Sequence, residues 1–163
     1  MTVRFASILA ALASALLTLA GCGSSADAPP AACSTDKTWS GGDRGSSLMH
    51  PGGNCIECHS SGGEGPRYAI AGTVMNDSKD DTNCDGVSGV TVEITGANGQ
   101  KITLTTNGAG NFFSSGSVPT PYTAKVISGG KTRAMSAAQT DLNCAGCHTA
   151  EGANGAPGRV FVP

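Results

Sequence analysis

The clearest hydrophobic pattern lies between Tyr68 and Met135, where short apolar–polar alternations are separated by turn residues. Val90, Val92 and Ile94 alternate with Thr91, Glu93 and Thr95, and Ile102 and Leu104 alternate with Thr103 and Thr105. A period of two puts one apolar and one polar face on each strand. Asn98-Gly99 stands between these runs and predicts a hairpin turn. Upstream, Tyr68 to Met75 reads as another strand. Downstream, Asn107-Gly108-Ala109-Gly110-Asn111 predicts a turn before Phe112-Phe113, and Tyr122, Ala124 and Val126 form one face of a last clear strand closed by Gly129-Gly130. Short strands with turns at near-regular intervals predict a mainly β fold, a small antiparallel β-sandwich over residues 68–135.

On either side of this region the pattern is lost in Gly-rich loop. The chain has 163 residues, 24 of them Gly, with 4% aromatic residues, so a core built from protein alone would be thin. The formal net charge is −2, which leaves no basic surface for tracking nucleic acid.

Each flank carries one copy of a short motif, Cys55-Ile56-Glu57-Cys58-His59 and Cys144-Ala145-Gly146-Cys147-His148. Both read C-x-x-C-H, the attachment signature of c-type haem. Two thiols in one turn reach the two vinyl groups of a porphyrin, and the next residue supplies an axial nitrogen to the iron. Cys55, Cys58, Cys144 and Cys147 are therefore expected to hold two haems c covalently, with His59 and His148 as proximal ligands. Four thiolates around one Zn²⁺ and a pair of redox dithiols are the other chemistries open to C-x-x-C. Neither needs a histidine after each second cysteine. Two buried porphyrins would also supply the apolar surface that the composition lacks, coupling haem binding to folding.

The second axial ligands are less constrained, because His50 is the one histidine outside the motifs. For the first haem the candidates are His50 and Met49, just before the Pro51-Gly52-Gly53 turn; a surface His50 with Met49 in the core is the ordinary alternative. For the second haem Met135, at the end of the strand region, is chosen over Met75 or a neighbouring molecule's histidine. A methionine at a strand end is ordinarily core.

At the N-terminus, Arg4 precedes an apolar run from Phe5 to Leu19, which reads as a cleaved export signal over residues 1–21. Leu19-Ala20-Gly21-Cys22 resembles the lipobox of bacterial lipoproteins, which implies lipidation of Cys22 and anchoring through several acyl chains. An ordinary signal with an incidental cysteine is the alternative. Gly23 after the anchor favours the outer membrane, at its periplasmic or cell-surface face. Residues 22–32 read as a polar, Pro-containing tether. Two cysteines then remain, and in an oxidising compartment Cys33 and Cys84 are expected to pair, two buried thiols being the alternative.

Asp81-Thr82-Asn83-Cys84-Asp85-Gly86 matches the front of a calcium loop, giving Asp81, Asn83 and Asp85 as candidate ligands. The closing glutamate is missing: Val92 holds position twelve, with Glu93 one residue later and on the wrong face. An Asp/Asn/Gly-rich hairpin is the plainer reading.

The run Gly72-Thr73-Val74, Gly89 to Ile94, Thr105 to Phe112 and Pro121 to Val126 resembles the carboxypeptidase-regulatory-like, prealbumin-type (Ig-like) β-sandwich, over less than half of the chain. That resemblance implies a fold and no catalysis. The whole layout is similar to small dihaem c-type cytochrome lipoproteins of myxobacterial and metal-respiring type, with a loop-rich haem segment on each side of such a sandwich. Residues 33–67 and 136–163 would be those segments. In that pattern Met49-His50-Pro51-Gly52 precedes the first motif and Ala156-Pro157-Gly158-Arg159 follows the second. The resemblance implies an electron carrier rather than an enzyme, passing single electrons between other redox proteins or multihaem cytochromes and held to a membrane by N-terminal lipid. A peroxidase-type enzyme, using groups such as Glu57, Glu64, Arg67, Glu151 or Arg159, and a structural subunit of a multihaem conduit are the competing classes.

Overall fold

A computed structural model describes residues 45–60, 63, 65–81 and 84–163. The export signal, the lipidation site Cys22, the tether, Cys33, Glu64 and Asn83 lie outside the described residues. The described part is mainly β, with two antiparallel sheets and two single-turn helices. Among these residues no helix is long and apolar enough to cross a membrane.

The predicted hairpin forms. Strand β2 (Thr91–Thr95) pairs antiparallel with β3 (Lys101–Thr105), with Val92 opposite Leu104 and Ile94 opposite Ile102. Gly99 takes the left-handed conformation the turn requires, at φ 80°. Alternation decides which side is covered: Val92 and Ile94 are buried and Thr91, Glu93 and Thr95 are not. On the more open face Glu93 receives Lys101 at 3.1 Å and Lys125 at 2.8 Å. The two ammonium groups, Lys125 foremost, hold its carboxyl below the usual carboxylate range.

On the other edge of β2 lies β5 (Thr123–Ser128), which pairs in turn with β6 (Lys131–Ala134), giving the order β3-β2-β5-β6. β6 is a strand the sequence pattern does not announce, because all four of its residues are exposed and no alternation marks it. Its cause is the two-residue turn Gly129-Gly130, both at positive φ, which folds the chain straight back on β5.

The second sheet pairs β1 (Ile70–Thr73) with β4 (Asn111–Ser114). Phe112 turns inward and is 2% exposed, whereas Phe113 points outward. One apolar cluster joins the sheets: Ile70 and Phe112 from the small one, Val92, Ile94 and Val126 from the large one, with Val74, Val90, Val118 and Tyr122 from the connecting segments. Each fully buried aliphatic or aromatic side chain contributes roughly 1.5–3 kcal/mol relative to exposure.

The C-terminal segment returns beside β1. Met75 N–H donates to Val160 at 2.8 Å and Val162 N–H donates back to Met75 at 3.1 Å. Met75 is thereby fixed in the interior at 0% exposure.

Candidate functional site

Helices α1 (Cys55–Cys58) and α2 (Cys144–Cys147) are the two C-x-x-C turns, and their hydrogen bonding matches closely. In each, the preceding asparagine carbonyl accepts from the residue three positions on, Asn54 from Glu57 and Asn143 from Gly146, both at 3.1 Å. The first cysteine carbonyl accepts the histidine N–H at 2.9 Å, His59 on Cys55 and His148 on Cys144. The first thiol donates to the carbonyl two residues back, Cys55 to Gly53 at 3.6 Å and Cys144 to Leu142 at 3.8 Å. A single tight turn followed by a histidine gives the same local structure twice.

The histidines are held alike. His59 Nδ1 lies 2.7 Å from the Pro66 carbonyl, and His148 Nδ1 lies 2.8 Å from the Gly158 carbonyl. A carbonyl only accepts, so Nδ1 carries the proton and, in the neutral ring, Nε2 keeps its lone pair. That is the tautomer a metal-ligating histidine needs, with its other nitrogen tied to the backbone. His59 is further stacked on Tyr68, at 4.4 Å between ring centres, and Tyr68 on Phe113, at 4.6 Å.

Both motifs sit against cavities that contain the expected second ligands. The first is lined by Met49, His50, Cys55, Cys58, His59 and Tyr68. The loop bearing Met49 and His50 is anchored through a buried polar chain. Gly52 N–H donates to Thr73 Oγ1 at 2.8 Å, Thr73 donates to Asn111 at 2.7 Å, and Asn111 Nδ2 donates to the Met49 carbonyl at 3.0 Å. His50 itself is held at φ 45°, a conformation side chains rarely adopt. The second motif opens on an apolar cavity of about 250 Å³, lined by Met135, Cys144, His148, Phe112, Tyr122 and Phe161. An adjoining cavity of about 170 Å³ adds Cys147 and again Met135. Met75, the alternative sulfur, lines neither motif's cavity.

The thiols differ in state. Cys55, Cys144 and Cys147 are free, whereas Cys58 and Cys84 are disulfide-bonded. The partner expected for Cys84, Cys33, lies outside the described residues. For Cys58 the bonded state departs from the expectation: the sulfur assigned to a porphyrin is held in a disulfide and needs reduction to a thiol before it can form a thioether. The same bond removes one of the four thiolates that a zinc site would use. Burial pushes the Cys55 thiol up to about 11 and the Cys144 thiol up to about 12, the latter also through the charge of Cys55.

The two motifs also approach each other, Gly52 and Gly53 of the first motif's loop lining a small space with Cys144, Ala145 and His148 of the second. Both helices pack on the same strand, β1. Tyr68 N–H donates to the His59 carbonyl at 2.9 Å, leading the first motif directly into β1, while Asn143 bridges in parallel to Ala71 on that strand. Tyr122, 4% exposed, clamps the segment before the second motif by donating its hydroxyl to the Asp141 carbonyl at 2.6 Å.

A residue type not assigned from the sequence occurs in both copies. Asn54 and Asn143 precede the first cysteine of each motif; neither side chain caps its helix, and both Oδ1 atoms are buried without a hydrogen-bond partner. Each asparagine lines the cavity of its own motif. The signal for this pair was the repeated Asn-Cys.

The other candidates are dispersed. Arg67 and Glu151 are exposed, Glu57 lies at the surface beside the first cavity, and Arg159 is buried. Asp81 and Asp85 are exposed, and Glu93, the nearest carboxylate to the closing position of a calcium loop, is engaged by two lysines. Among the described residues no group of three or more His, Cys, Asp or Glu side chains is placed to hold a metal ion. No known family model, curated protein or solved structure matches this chain.

Proposed function

We propose that this chain is an exported, lipid-anchored dihaem cytochrome c, an electron carrier of the periplasm or outer membrane and not an enzyme. The observation that carries the reading is the paired histidine geometry. His59 and His148 each follow a C-x-x-C turn and each donate Nδ1–H to a backbone carbonyl, at 2.7 and 2.8 Å. The residues of the second motif fit a haem throughout, with two free thiols, an oriented histidine and an apolar cavity holding Met135. Those of the first fit in every respect except the bonded sulfur of Cys58.

When bound, the haems supply one-electron chemistry; the chain fixes their position and tunes their potential. His59 and His148 would ligate the irons, with His50 or Met49 as a further ligand to the first and Met135 to the second. The sheets support an Ig- or prealbumin-like sandwich of residues 68–135, and the two haem segments meet on its β1 side. Haems held by the two motifs would supply the one-electron steps, with the chain linking both motifs through β1. Partners would be redox proteins or multihaem cytochromes meeting exposed haem edges in small, transient interfaces.

The test of this assignment is near-infrared magnetic circular dichroism of the oxidised full-length protein, purified from a host with c-type haem maturation. Low-spin haem with one His/Met band from the second site supports it. An open high-spin iron in each site would point to an enzyme instead.

A further inference from the structure

Arg159 occupies the seam between the two motifs, only 5% exposed. Its Nη1 donates to the Gly52 carbonyl at 2.6 Å, and its Nε donates to the Asp80 carbonyl at 3.1 Å. Its own backbone N–H is fixed on the Ser78 carbonyl at 2.8 Å. Gly52 belongs to the turn that leads into Cys55, and the residue before Arg159, Gly158, supplies the carbonyl that orients His148. The side chain lines the small space between Gly53 of the first motif's loop and Cys144, Ala145 and His148 of the second. It also borders the larger cavity that contains Met135.

A guanidinium keeps its charge across the whole accessible pH range. In a poorly polarisable interior that charge acts more strongly on its surroundings than it would at the surface. Reduction of an iron adds one negative charge to its site, so a buried cation between two such sites favours the reduced form of both. Resting on the dihaem reading above, we infer that Arg159 raises the reduction potential of both haems while tying the first motif's loop to the second motif.

The test is a spectroelectrochemical titration of the full-length haem-loaded protein, wild type against Arg159→Gln and Arg159→Lys, with haem counted per chain by pyridine haemochrome. The expected result for Arg159→Gln is two haems whose reduction equilibria both fall at least tenfold, about 59 mV for a one-electron couple. Arg159→Lys keeps the charge and recovers most of that shift, while melting below wild type because the fork to Gly52 and Asp80 is lost. Should Arg159→Gln fail to load haem, Arg159→Lys decides alone. Its potentials fall at alkaline pH as the ammonium deprotonates, a fall absent from wild type. Two haems with unmoved potentials in Arg159→Gln, or matching pH profiles for Arg159→Lys and wild type, overturn the role of Arg159 and leave the dihaem reading intact. A wild-type chain without covalent haem overturns both.

Discussion

Gly72 lies directly beneath Cys144: a Cβ at Gly72 would stand 3.1 Å from the Cys144 Cβ and 2.7 Å from the Phe112 ring. The missing side chain lets the second thiol turn rest on β1. Gly72→Ala is therefore expected to overpack this junction, at a cost of about 1–3 kcal/mol. Thermal melting should show a drop of several degrees, with haem loss concentrated at the second site.

A second glycine controls the first site. A Cβ at Gly65 would lie 2.4 Å from His59 Cε1 and Nδ1. The ring is pinned by Pro66 and by Tyr68 and has little freedom to retreat. Gly65→Ala should perturb the first haem's electron paramagnetic resonance signal and leave the second unchanged. Equal effects on both signals would contradict the placement of this loop.

Replacing Met135 separates ligation from packing. Met135→Leu conserves volume, so stability should change by less than about 1.5 kcal/mol. The sulfur-to-iron charge-transfer band should nonetheless disappear, and the second haem should become high-spin or take up an added ligand such as imidazole. Retention of that band would exclude Met135 and return the choice to another ligand.

The haem-free chain should show its buried thiols through pH. The Cys55 and Cys144 thiols titrate near 11 and 12 when folded, against 9.0 ordinarily, mainly because burial disfavours the thiolate. The unfolded chain therefore releases these protons first. Their contribution to stability is full below about pH 9 and is lost as pH rises through 11 and 12, at up to about 1.4 kcal/mol per pH unit for each group. Chemical denaturation between pH 8 and 12 measures this slope. Alkylation of both thiols at pH 8 should be slower than that of a free cysteine.

The parts of the fold legible in the sequence are those set by local chemistry. The β2–β3 hairpin follows from alternation around Asn98-Gly99, and the two thiol turns follow from C-x-x-C-H itself. β6 was hidden because Lys131 to Ala134 present no buried face. The meeting of both motifs on β1 was hidden for a different reason. It depends on the Ala71–Asn143 bridge and on Val160 to Val162 returning beside Met75, long-range pairings that leave no periodic trace. The histidine-orienting carbonyls come from Pro66 and Gly158, each next to an arginine in a Gly/Pro-containing loop. That similarity is visible in the sequence only once the structure gives it a role.

Covalent haem at both C-x-x-C-H turns is decided by the number of haems that each chain retains. The full-length protein, matured with haem and then denatured, is measured by intact mass and pyridine haemochrome. Two haems retained per chain are expected, with Cys58 in thioether linkage rather than in a disulfide. A chain that retains no haem, or one haem at the second motif with Cys58 still disulfide-bonded, would contradict that expectation.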